Sequence, residues 1–156
     1  MTYPWDMDDK PREECGVFGI YAPNLEVSRI TFFGLYALQH RGQESAGIAA
    51  TDGERIELRR SLGLVSNAFD EEDILNLSGF AAIGHTRYST AGSTSPTNAG
   101  PMYVESDLGP MAIAHNGNLT NMLPLKEELE ARGERFTTTT DTEILARVIS
   151  LAEGNT

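Results

Sequence analysis

The stretch "AGIAATDGERIELRR", residues 46–60, decides the architecture. Two β-capable runs flank Asp52-Gly53, a dipeptide that tolerates the positive φ of a type I′ turn, so the stretch predicts a β-hairpin. Upstream, "GVFGIY" (16–21) reads as a strand bounded by Pro23. Downstream, "FAAIGHTR" (80–87) reads as a third strand, apolar enough to be buried on both faces. "MYVES" (102–106) and "MAIAHN" (111–116) pair as another hairpin around "DLGP".

Helices fill the intervals. Asn24 is the expected N-cap of a helix whose apolar stripe is Val27, Ile30, Phe33 and Leu38, with Gly42 as its stop. Residues 69–77 predict a short acidic helix ended by Gly79. Asn118 is expected to cap the helix in "NLTNMLPLKEELEARG" (118–133), with Pro124 tolerated near its start and Gly133 as stop. In the last helix, Thr140 and Glu143 have the spacing of a capping box. Hairpins between helices mean antiparallel pairs, hence an α+β fold and not a doubly wound parallel sheet. Residues 1–14, polar and proline-punctuated, read as a loose arm, and residues 88–101 as a long irregular loop.

Composition narrows the classes. With 156 residues, 40% hydrophobic and 22% charged, the chain reads as one globular domain. A formal net charge of −11 argues against a nucleic-acid partner, whose phosphates it would repel. No run of about 18 apolar residues occurs, so no membrane span is expected. The N-terminal segment lacks the apolar core of a signal peptide, which makes the cytoplasm the expected location. Cys15 is the lone cysteine, and His40, His85 and His115 are scattered, so neither an intramolecular disulfide nor a metal site is expected.

The unusual residues fall in loops that adjoin strands: "LQHRGQESAG" (38–47), "GHTRYSTAG" (84–92) and "AHNGNLTN" (114–121). Singly, each has a plain explanation. Asn116-Gly117 reads equally as a simple turn, Arg87 as a surface ion-pair partner, and Asp141 as a carboxylate on the positive end of a helix. Cys15 reads equally as an inert buried thiol.

Together they say more. In chain order the sequence shows "CGVFGI", "LQHRGQESAGIA", "GHTRYSTAG", "HNGNLTN" and "TTDTE". This combination resembles the class II glutamine amidotransferases, a branch of the N-terminal-nucleophile hydrolases. Within them, "LQHRGQE", "HTRYST" and "HNGNLTN" resemble the amidophosphoribosyltransferase family, and the resemblance runs from Glu13 to Leu151. Related aminotransferases that make glucosamine 6-phosphate typically carry tryptophan where Tyr88 stands. Those enzymes and the glutamine-dependent asparagine synthetases usually begin at the cysteine itself. Here a segment precedes Cys15, similar to the short propeptide of Bacillus-type members, which also ends in acidic residues.

The resemblance implies an αββα four-layer sandwich and removal of residues 1–14. Cys15 then becomes an N-terminal nucleophile with its own base. A thiol of pKa about 8.5 and an α-amino group of about 7.7–8.0 sit on one residue. It implies that the Asn116 side-chain amide and the Gly117 N–H receive the oxyanion, that Arg87 reads the substrate α-carboxylate and that Asp141 reads its α-ammonium. Thr90 would line the site in a loop (88–92) that closes over the substrate, Arg41 and Gly42 would brace the cysteine end, and His85 and His115 would only pack.

The implied substrate is glutamine. The implied use of its ammonia is transfer to phosphoribosyl pyrophosphate, in a separate phosphoribosyltransferase domain, for purine synthesis. The expected division is an arm at 1–14 and a glutamine domain at 15–156 that is incomplete at its C-terminus, without the phosphoribosyltransferase domain. An open sheet edge should then favour self-association. No cofactor is expected within the chain; magnesium and a 4Fe-4S cluster, with homo-oligomers, are implied for full-length family enzymes. Two other readings stay open: a glutaminase-like subunit serving a separate partner, and a catalytically silent binding or regulatory module. Cys15, Arg87, Asn116 and Asp141 occurring together count against silence.

Overall fold

A computed structural model describes residues 15–88, 95–106 and 109–152. The elements in chain order are β1 (Gly16–Tyr21), α1 (Val27–Ala37), β2 (Ser45–Thr51), β3 (Ile56–Leu62), α2 (Val65–Ala68), α3 (Glu71–Asn76), β4 (Ala81–Arg87), β5 (Met102–Val104), β6 (Met111–Ile113), α4 (Met122–Ala131) and α5 (Asp141–Ser150). Short 3-10 turns at Gln39–Arg41 and Pro96–Asn98 complete them. The expected arm at 1–14 and Thr90 both lie outside the described residues.

All pairing is antiparallel, as the hairpin reading requires. One sheet has the order β1-β4-β2-β3; the other is the β5-β6 pair. β4 is central, with Thr86 opposite both Gly16 and Ala46, which is why residues 81–84 are apolar or small on both faces. Even-numbered positions of β1, β2 and β4 face α1, where Ile48, Ala46, Ala50 and Ala82 pack with Val27, Leu35, Val65 and Phe69. Odd-numbered positions, including His85 and Arg87, face the opposite way. There residues 98–101 lie against the sheet: the Arg60 Nη1 donates to the Ala99 carbonyl at 2.8 Å. β5 and β6 follow, covered by α5, which in turn meets α4. The layers are therefore helix, sheet, sheet, helix.

Several local expectations give way to packing. The hairpin turn is a four-residue loop, 52–55, since Thr51 pairs with Ile56. Only Gly53 takes positive φ (91°), so the turn is not type I′; the Asp52 carboxylate instead accepts from the N–H groups of Glu54 and Arg55. α1 begins after Glu26, not Asn24, and has no side-chain cap. Its buried line is Val27, Thr31 and Leu35, while Phe33 is exposed. Thr31 can replace an apolar residue there because its hydroxyl donates to the Val27 carbonyl at 2.7 Å.

The acidic helix is shorter than 69–77 and is capped by Asp70 through a reciprocal box with Asp73; α2 before it was not anticipated. α4 starts after Asn121, so Asn118 caps nothing. At α5, Thr140 Oγ1 accepts from Glu143 N at 3.4 Å, which is half of the expected box. The Glu143 carboxylate does not return to Thr140. It turns back further, to the N–H groups of Thr137 and Thr138.

Candidate active site

Cys15 stands at the mouth of β1, where the strand is tied to its neighbours from three sides. Gly16 N–H donates to Thr86 Oγ1 at 3.2 Å, and Arg41 Nε donates to the Cys15 carbonyl at 3.3 Å. The thiol is partly exposed and faces the Tyr88 carbonyl, with Sγ 3.6 Å from the oxygen. Arg41 reaches this place because Gly42 presses on the β4 backbone; a Cβ at 42 would lie 2.6 Å from the Arg87 carbonyl carbon. A glycine is required there for close approach.

Arg87 ends β4 and is buried. Its Nη1 donates to the Asn98 carbonyl, and its Nε lies 4.0 Å from a Glu44 oxygen. Asp141 opens α5, where one carboxylate oxygen accepts from Leu119 N–H at 2.9 Å and the other lies 3.9 Å from His115 Nδ1. The loop before Asp141 is held from behind. Glu143, buried to 4% exposure, accepts from Thr137 N (3.0 Å), Thr137 Oγ1 (3.1 Å) and Thr138 N (2.7 Å). Burial alone would raise this carboxyl, but the bonds from Thr137 and Thr138 outweigh it and hold the group below its usual value. Glu143 is ionised and structural.

These segments enclose a cleft of about 330 Å³ whose walls include Cys15, Arg87, Gly117 and Asp141. That volume is at the small-molecule end of the range for binding pockets. Asn116 sits beside Gly117, exposed and off the cleft wall; Arg41 stands behind Cys15. His85 also lines the cleft, with both ring nitrogens buried and without a hydrogen bond among the described residues. Burial, then the Arg87 charge, push its pKa down to about 4, so its imidazole is neutral at physiological pH.

Among the described residues, no group of three or more His, Cys, Asp or Glu could hold a metal ion. A four-iron cluster is held by four cysteine thiolates; with one cysteine, these residues do not fit it. No helix among the described residues is long and apolar enough to cross a membrane.

Residues 59–154 match the family described as glutamine amidotransferase domain. The chain belongs to that family. The amidotransferase chain is 55% identical over 148 residues to the amidophosphoribosyltransferase of Synechococcus elongatus, covering 94% of this chain and 30% of that protein. The Bacillus subtilis amidophosphoribosyltransferase is 48% identical over 138 residues, covering 88% and 29%. The solved structure of the glutamine phosphoribosylpyrophosphate amidotransferase from B. subtilis, complexed with ADP and GMP, superposes with a TM-score of 0.80. There the identity is 43%, over 90% of this chain and 30% of that one. The amidotransferase chain thus spans about 30% of the length of these relatives, and its α+β layers have the N-terminal-nucleophile hydrolase fold.

Sequence reasoning passed over Asn98, Thr139 and the looping-back of Glu143. The run "TTTT" was a visible signal, since four hydroxyl-bearing residues ahead of a helix need partners if they are to be ordered.

Proposed function

We propose that the chain hydrolyses free glutamine with Cys15 as nucleophile, and that the ammonia serves phosphoribosylamine formation from phosphoribosyl pyrophosphate in a phosphoribosyltransferase domain. The observation that carries the reading is one cleft lined by Cys15, Arg87, Gly117 and Asp141, four residues drawn from four separate segments. Removal of residues 1–14 frees the Cys15 α-amino group. That group takes the thiol proton, and the thiolate attacks the side-chain amide carbon. The amino group then returns the proton to the leaving ammonia, leaving a γ-glutamyl thioester that water opens to glutamate.

Gly117 N–H and the Asn116 amide supply the oxyanion donors; Asn116 reaches the cleft by rotating from its exposed position. Arg87 offers a guanidinium fork to the α-carboxylate, and Asp141 accepts from the α-ammonium. A glutamine within a peptide lacks both charges and forgoes both charge-assisted contacts, which selects against it. Magnesium and the phosphoribosyl group belong to the second domain, and a cytoplasmic homo-oligomer completes the proposal.

Kinetics with two nitrogen donors test the reading. Each of Arg87→Ala and Asp141→Asn removes a charge-assisted bond, so kcat/KM for glutamine should fall about 10- to 150-fold. Ammonia-dependent phosphoribosylamine synthesis by the two-domain enzyme should keep its rate. Equal loss of both activities would show that the two residues hold the fold and do not read glutamine.

A further inference from the structure

Asn98 joins the two ends of the cleft. Buried to 3% exposure, it leads into β5 from the 3-10 turn; its N–H stays within that turn on the Ser95 carbonyl, while its carbonyl and side-chain amide point across layers. Its backbone carbonyl accepts from Arg87 Nη1. Its side-chain amide makes a two-point clamp on Thr139: Nδ2 donates to Thr139 Oγ1 at 3.1 Å, and Oδ1 accepts from Thr139 N–H at 3.2 Å. Thr139 is two residues before Asp141, and the intervening Thr140 caps α5. One residue therefore touches the proposed reader of the α-carboxylate directly and holds the loop that carries the proposed reader of the α-ammonium.

We propose that Asn98 is a positioning residue that sets the distance between Arg87 and Asp141, and so enforces selection of a substrate with both α-charges. This rests on the assignment of Arg87 and Asp141 to glutamine. The two readers stand on different layers, β4 and α5, with no backbone pairing between them. An amino acid's two charged groups are separated by one carbon, so small relative drift of the layers spoils simultaneous contact. Misplacement on this scale is costly where two charge-assisted bonds must form together. An asparagine suits the task because its amide offers a donor and an acceptor in one plane, matching a hydroxyl and an N–H on one residue. The clamp adds a directional tie to a segment, residues 98–101, whose Ala99 and Pro101 are buried.

The experiment compares glutamine with glutaminamide, in which the α-carboxylate is an uncharged amide, in steady-state ammonia release. Variants are Asn98→Ala and the milder Thr139→Val, which removes only the hydroxyl half of the clamp at an exposed residue. The expected result for Asn98→Ala is a rise in KM for glutamine of about tenfold, the scale of two lost hydrogen bonds. The preference for glutamine over glutaminamide should shrink by a similar factor, while kcat and the rate of Cys15 alkylation by iodoacetamide hold. Thr139→Val should move the same ratio in the same direction by a smaller factor. A uniform fall in activity toward both substrates, with the preference intact in both variants, would overturn the proposal. Arg87→Ala separates the two levels of inference. If it abolishes the preference while the Asn98 variants do not, only the clamp is wrong. If it leaves the preference unchanged, the assignment of Arg87 itself is wrong.

Discussion

The half of the molecule built on β1–β4 and α1 is held chiefly by apolar burial, whereas the half from Asn98 to Ser150 adds polar clamps to a smaller apolar seam. In the first, Ile48, Leu35, Val27 and Val65 are all but inaccessible to solvent and pack with one another across sheet and helix. In the second, β5 and β6 are three residues each, Met102, Val104, Leu129 and Ile144 are buried, and directional bonds join its segments: Asn98 on Thr139, Glu143 on Thr137 and Thr138, and Asp141 on Leu119. The cleft lies on the boundary, with Cys15, the proposed nucleophile, on the first half and Asp141, the proposed ammonium reader, on the second. Non-directional burial gives a stable platform. Directional bonds give a position, which is what substrate selection requires.

Substitutions can break this contrast. Ile48→Ala removes a fully buried side chain from the first half and should cost about 2–5 kcal/mol of stability. The folded protein should keep its kcat/KM, and a urea titration beside glutaminase assays checks both halves of that statement. Gly117→Ala acts in the second half. A Cβ there would lie 2.9 Å from His115 Nε2, so either the ring or the Gly117 N–H must move. Rate should fall about 10²–10³-fold, the usual loss for one oxyanion donor, with the urea midpoint almost unchanged. A matching fall in stability would show that residue 117 supports the fold more than the reaction.

His85 sharpens the contrast through pH. Its folded pKa is depressed by burial to about 4, while the unfolded chain titrates near the ordinary 6.5. As pH falls below about 6.5 the unfolded state takes up a proton that the folded state refuses, so stability declines until the folded group also titrates near 4. The loss is on the order of 3 kcal/mol. Glu143 adds to it at lower pH: its carboxyl is held below its usual value, so its contribution is present above the unfolded pKa and lost as pH falls through the folded one. His85→Gln should flatten the stability curve between pH 6.5 and 4 in urea titrations, and an unchanged acid limb would contradict the assignment.

The same division explains what the sequence makes legible. The antiparallel pairing follows from hairpin signals, the doubly buried β4 from its continuous apolar run, and the existence of the longer helices from turn-wise apolar spacing, because burial leaves those patterns in a sequence. Caps do not follow so readily. Asn24 and Asn118 are good capping residues by type, yet packing starts α1 and α4 two or three residues later, where the chain meets its layer. Glu143 fits a capping box by spacing, but the "TTTT" loop curls close enough to offer it two N–H groups and a hydroxyl. Of the candidate site, Cys15, Arg87, Gly117 and Asp141 meet in one cleft, whereas Asn116 is turned outward. Asn98 carries no sequence signal, since its importance lies in partners at 41 residues' separation.

The central claim is that Cys15 works as an N-terminal nucleophile, and intact mass of catalytically active protein tests it most directly. The account predicts that active protein has lost residues 1–14 and begins at Cys15, that Cys15→Ala keeps its arm, and that this variant releases no glutamate from glutamine. Glutamate release by protein whose measured mass still includes residues 1–14 would contradict it.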